Sequence, residues 1–338
     1  MEILILLIPI IACIILFIFY RSKVNIIEYL AILGSCTLVY FIYYYIDEEV
    51  SQSDTEYLGD YITKIRHEDN WDEWVKKTCS RSVPAGRNSN GGVRYRTEYY
   101  DCSYRDYHPD SYYMYPNNSS RISISKSEFD KLRIAWKTPE RFIDMNRRYF
   151  KIDGDAHEFD WNKNPIHSRT ITSSNLYDNP ILGSRTTIYR NVKITNSDIS
   201  EYELIDYPDI INHDQENILG RHWVPDYVRK RWKFINGLYG KSHQIRTYII
   251  FYKNKTSEAA DKQISYWKGG NKNELIIMMG IDDMTRLQWV KVHSWSDNPE
   301  FETRLDTYIS SYIGHIVDMN KLYNFYIDNV GSWNRKEF

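Results

Sequence analysis

The stretch Tyr99-Tyr100-Asp101-Cys102-Ser103-Tyr104-Arg105-Asp106-Tyr107-His108-Pro109 gathers the carboxylates, imidazole and phenols that a polar ligand site needs. The same composition also suits a loop stapled by aromatic packing. The thiol of Cys102 has a candidate partner. Of 4 cysteines, Cys13 and Cys36 fall in long apolar runs, which leaves Cys79 and Cys102 for the rest of the chain. Outside a reducing compartment such a pair suggests a disulfide closing a loop of about twenty residues, worth about 3 kcal/mol. Two separate buried thiols are the other reading. Neither cysteine belongs to a C-x-x-C motif, which argues against a zinc or redox centre.

Other motifs fail on their spacing. Asp153-Gly154-Asp155-Ala156-His157-Glu158-Phe159-Asp160 carries oxygen ligands at calcium-like intervals, but its glycine and terminal Glu are misplaced. Asp153-Gly154 between apolar runs predicts a hairpin turn instead. Gly237-Leu238-Tyr239-Gly240-Lys241-Ser242 ends like a phosphate loop, yet Ile235 stands where the motif needs its first glycine, so Gly240 is expected to end a helix. Neither G-x-S-x-G nor H-E-x-x-H occurs, and the 9 histidines show no ligand-spaced pair on a helix. No nucleophile stands beside a base.

These side chains need elements to carry them. The 338 residues suffice for an anchor plus one large or two small domains. With 43 Lys+Arg against 45 Asp+Glu the net charge is -2, which argues against a nucleic-acid partner. An aromatic content of 15%, with 30 Tyr and 10 Trp, excludes a disordered chain. Residues 3–20 and 26–46 are apolar runs of membrane length joined by Arg21-Ser22-Lys23-Val24-Asn25, which predicts a transmembrane helical hairpin in residues 1–46. Arg21 and Lys23 would keep the turn cytoplasmic, so residues 47–338 are expected outside the cytoplasm.

Residues 47–223 read as an aromatic-rich, loop-rich α+β region. Leu58, Ile62 and Ile65 predict a helix over 57–77, with Glu73 and Lys77 as an i,i+4 pair. Residues 80–92 read as loop, 93–102 as a strand, and Ser125-x-x-Glu128 as a capping box opening a helix through Phe129, Leu132 and Trp136. Residues 165–222 give one or two strands in a loop-rich stretch. From Val224 the pattern is regular: helix 224–239, strand 244–252, helix 257–267, strand 274–281, strand 287–295 and two closing helices. The fold class is thus α+β, close to α/β, with helices packed on a small mixed sheet in 224–338. Its crossover is expected to be right-handed if the first two of these strands are parallel.

The run Glu258-Ala259-Ala260…Trp267-Lys268-Gly269-Gly270…Asn273-Glu274-Leu275-Ile276-Ile277, followed by a hairpin and a helix, resembles the TPM domain. The resemblance covers about residues 224–315; the glycine-rich hairpin of that family is replaced by Val290-Lys291-Val292-His293-Ser294-Trp295. The whole body also resembles two-span membrane proteins of bacteria and their phages. The resemblance implies a metal role for Asp282, Asp283 and Glu274, holding a divalent ion such as calcium or magnesium. Trp267, Gly269, Gly270 and Asn273 would shape the loop between helix and strand. The leading expectation is a non-enzymatic, membrane-anchored protein that contacts the lipid bilayer and binds another membrane or envelope protein, without cofactor. The alternatives are a metal-assisted phosphatase of TPM type and a phage-encoded factor acting at the host membrane.

Overall fold

The computed structural model describes residues 11, 14, 15, 18, 25–135, 140–143, 155–160, 169–184, 187, 189, 192–222 and 224–337. The first apolar run (apart from Ile11, Ile14, Ile15 and Ile18), the turn at Arg21 and Lys23, Cys13, Trp136 and the Asp153-Gly154 turn lie outside them. Helix α1, Ile26–Gln52, starts on a capping box in which Asn25 and Glu28 bond each other's backbone N–H groups. It does not stop at Ile46 but continues through Asp47-Glu48-Glu49. Among the described residues no helix is long and apolar enough to cross a membrane. That finding overturns the transmembrane hairpin, the orientation drawn from it and the extracytoplasmic placement.

Strand β1, Ser53–Glu68, follows α1 directly and replaces the helix expected over 57–77. Its first half pairs antiparallel with β10, Thr170–Asp178. Its second half lies between β6, Ser111–Pro116, and β9, Ala156–Asp160, and the sheet is widened by β7, Ile122–Ser123, and β8, Glu140–Ile143. The register against β6 shifts between Ile62 and Lys64, a bulge at Thr63. One extra residue converts the strand's two-residue period into a three-residue interval. Ile62 and Ile65 consequently share one core with Met114, Phe159, and Phe129 and Leu132 of α2, Lys126–Ala135. The spacing that imitates a helix is a bulged strand. Helix α2 itself has the expected start, with the Glu128 N–H donating to Ser125 Oγ. Two short helices follow β10: α3, Pro180–Gly183, and α4, Asn196–Tyr202.

The second sheet has the order β11 (Ile218–Gly220), β12 (Arg246–Lys253), β13 (Glu274–Ile281), β14 (Leu287–Ser294); the first three are parallel and β14 is antiparallel. Every residue of β13 is buried, as its unbroken apolar run requires of a strand covered on both faces. One face carries α5 (Asp226–Tyr239), α7 (Glu300–Ser310) and α8 (Met319–Asn329) over Ile249, Phe251, Ile277 and Met279. The other carries α6 (Glu258–Tyr266) over Tyr248, Ile250, Ile276 and Met278. The chain steps the same way along the sheet from β11 to β13, with α5 and α6 on opposite faces. The two crossovers therefore have opposite hands, an exception to the right-handed rule.

Strand β1 of the first sheet meets the end of α5 backbone to backbone. A Cβ on Gly59 of β1 would lie 2.1 Å from the carbonyl oxygen of Asn236, and one on Gly240 would lie 2.3 Å from that of Gly59. Only glycine permits so close an approach of strand to helix end. Asn273 donates to the Tyr57 carbonyl at 2.8 Å, and Arg335 near the C-terminus pairs with the buried Glu56.

Candidate functional site

The residues 99–109 that read as a ligand cluster fold into one side of a long β-ribbon. Strand β2, Trp71–Val75, pairs with β5, Tyr104–His108, and β3, Thr78–Arg87, pairs with β4, Val93–Asp101. Pairing continues across the junction: the Cys102 N–H donates to the Lys77 carbonyl at 2.9 Å and the Lys77 N–H to Ser103 Oγ at 3.1 Å. Cys79 and Cys102 are joined by a disulfide at that junction, with Cα atoms 5.8 Å apart. Residues 80–92, expected as loop, are mostly strand β3. Both faces of the outer ribbon are solvated, so β3 shows no alternation of apolar and polar to read, whereas β4 is a strand as expected over 93–102.

Paired residues share a face. Ser80, Ser82 and Pro84 lie opposite Tyr99, Thr97 and Tyr95, making an uncharged face of small residues and phenols. Tyr99 is 73% exposed and Tyr95 64%. The other face carries Arg81, Arg96 and Tyr100; Arg81 pairs with Glu98 at 3.0 Å and lies over the Tyr100 ring. Between Ser82 and Thr97 the chain has three arginines, Arg87, Arg94 and Arg96, and no carboxylate. The tip is basic and aromatic.

At the root, side chains distant in sequence converge. In β2 and β5, Glu73 stands directly opposite Asp106, and Trp71 opposite His108. His108 Nε2 is 3.2 Å from Glu73 Oε1 and 3.8 Å from Asp106 Oδ2, and its ring stacks on Trp71 at 4.1 Å. On the reverse face Arg105 pairs with the buried Asp72 at 2.9 Å. Below lies a second group, in which His67 faces Asp110 through Nε2 at 3.1 Å and Asp69 through Nδ1 at 3.6 Å, while His157 reaches Asp69 at 3.2 Å. Either triple, Glu73-Asp106-His108 or His67-Asp69-Asp110, has ligand atoms close enough to share a cation. Asp106 and His108 belong to the stretch singled out in the sequence. Glu73, His67, Asp69 and Asp110 do not; only strand pairing brings them in. Glu158, from the calcium-like run, is instead buried against Lys64 and Arg66.

Glu274 opens β13, whereas Asp282 and Asp283 follow its other end, about 25 Å away at the rise of a strand. The structure does not bring these three together. Asp282 accepts from the Arg286 side chain and backbone, and Asp283 pairs with Lys253 at 3.2 Å. These donors hold both carboxyls below the usual carboxylate range, led by the Arg286 N–H at Asp282 and the Asn254 amide at Asp283. Glu274 is wholly buried; Tyr207 donates to one oxygen and the Asn271 N–H to the other at 2.9 Å. Burial raises its pKa against the pull of these bonds. Trp267 ends α6, its indole donating to the Ile205 carbonyl at 2.7 Å, and Lys268, Gly269 and Gly270 follow with φ of 54°, 93° and 74°. Asn273 ties the loop to β1 through Tyr57. Trp267, Gly269, Gly270 and Asn273, with Lys268, build the turn between α6 and β13.

Comparison with protein-family models, with curated proteins and with solved structures finds no match to this chain.

Proposed function

We propose that this chain is a binding protein without catalytic activity of its own, which grips another protein through the ribbon of residues 71–108. The observation that carries the reading is the outer ribbon: a disulfide-braced pair of strands with both faces solvated, displaying Tyr95, Tyr99, Tyr100, Arg94 and Arg96. Tyrosine and arginine dominate the energetics of protein interfaces, and phenols set among small hydroxyl residues give contact area at low entropic cost. The partner surface should be acidic where it meets the three-arginine tip. A protein suits this better than a nucleic acid, because the chain carries a net charge of -2.

A photo-crosslinking residue at position 99 should trap one specific partner, absent when the crosslinker stands at Asp306 on α7. The affinity for that partner, measured by calorimetry, should then fall at least tenfold in a Tyr95→Ala/Tyr99→Ala variant of unchanged circular dichroism. Equal affinity would overturn the reading. A crosslink to nucleic acid, with binding that weakens steeply in salt, would replace it with another.

A further inference from the structure

The root of the ribbon holds an arrangement that partner binding does not need. Glu73 and Asp106 are directly opposed across β2 and β5, and like charges so placed repel. His108 lies two residues from Asp106 on the same strand, hence on the same face. One nitrogen, Nε2, faces both carboxylates, at 3.2 Å and 3.8 Å. The ring is held for this by Trp71, its cross-strand neighbour, stacked at 4.1 Å with 13° between planes. All three side chains are half-buried, so an ion has a route in and water can complete its shell.

We propose that Glu73, Asp106 and His108 form a binding site for a divalent transition-metal cation such as zinc, which clips β2 to β5 beneath the disulfide. A tetrahedral ion with ligand bonds near 2.1 Å sets its donors about 3.4 Å apart, and the two nitrogen–oxygen separations fall on either side of that value. One imidazole with two carboxylates suits zinc, manganese or ferrous iron; calcium and magnesium prefer oxygen ligands alone. Three protein ligands leave a fourth position for water or a partner's side chain. The site stands whether or not the ribbon has a protein partner.

The neighbouring His67-Asp69-Asp110 triple is the weaker choice. His67 spends its two nitrogens on different carboxylates, Asp69 also meets His157, and Asp110 already accepts the Asn70 N–H at 3.2 Å. Its donors form a ladder of pairs, whereas those of the upper group converge on one point.

The test is calorimetric titration of the full chain with zinc chloride after dialysis against chelator, repeated with cobalt(II) to read the visible ligand-field bands of a bound ion. The expected result is one saturable site, weakened at least tenfold in Glu73→Gln/Asp106→Asn and in His108→Gln, and unaltered in His67→Gln. Circular dichroism and the intact disulfide confirm that each variant is folded. No saturable binding to the wild type, or binding that survives Glu73→Gln/Asp106→Asn, would overturn the proposal. Loss confined to His67→Gln would do the same by moving the ion to the lower triple.

Discussion

His293 on β14 is half-buried with its Nε2 3.0 Å from the carbonyl of Gly269, to which the ring donates. Burial first, then the Lys291 charge, push its pKa below 6.5, while the Gly269 carbonyl and Asp261 pull the other way. The sign of the linkage follows. Unfolded, the ring takes up a proton near its ordinary pKa; folded, it does so only at lower pH. Its contribution to stability is therefore present above about pH 6.5 and is lost as pH falls toward the folded value. Glu274 and Glu302, whose pKa values burial raises, act oppositely: their contribution is full at low pH and fades as pH rises through their folded values. In thermal melts from pH 7.5 to 5, Tm should fall more, or rise less, in the wild type than in His293→Gln. Equal slopes in the two proteins would mean that the imidazole takes up its proton alike in the folded and unfolded chain.

At the scale of elements, the contact between β1 and α5 depends on glycine. A Cβ on Gly59 would meet the oxygen and carbon of Asn236 at 2.1 Å and 2.7 Å, and both are backbone atoms that no rotamer change can move aside. Gly59→Ala must push α5 from the strand and should cost at least about 1–3 kcal/mol in urea denaturation. Gly331→Ala, with nothing within 4 Å of its added carbon, serves as the control. The helices and strands after Val224 are legible in the sequence because each matches its own period: α5 has a continuous apolar stripe and β13 an unbroken apolar run. The first half is not, for reasons that can be named. The bulge at Thr63 gives β1 a helical spacing, and β3 has no buried face to set an alternation. Glu73 looks like the partner of Lys77 only in a helix that does not form. The candidate site was half visible: Asp106 and His108 stand in the conspicuous stretch, while Glu73 and Trp71 join them through a strand register that local patterns do not encode.

The described residues from Ser53 onward separate into a body that holds the fold and a ribbon that projects from it. The body is tied at many points: Gly59 against Asn236, Asn273 to the Tyr57 carbonyl, Tyr61 against Phe234 at 5.4 Å, and Arg335 to Glu56 across almost the whole chain length. No residue between 78 and 101 belongs to any of the three hydrophobic cores. The disulfide consequently braces a segment whose stability is largely its own, since a two-stranded ribbon alone is marginal in water. Replacing residues 78–101 by an Asn-Gly turn, with Cys102→Ser because its partner Cys79 is removed, should change Tm by no more than a few degrees while abolishing partner capture. Zinc binding at Glu73, Asp106 and His108 should survive, because the new turn still closes β2 onto β5. A large drop in Tm would show that the ribbon packs on the body and is part of the fold. Retained partner capture would move the interface off the outer ribbon, to its root or to the body, where the exposed residues of β2 and β5 and then of α7 would be the next to change.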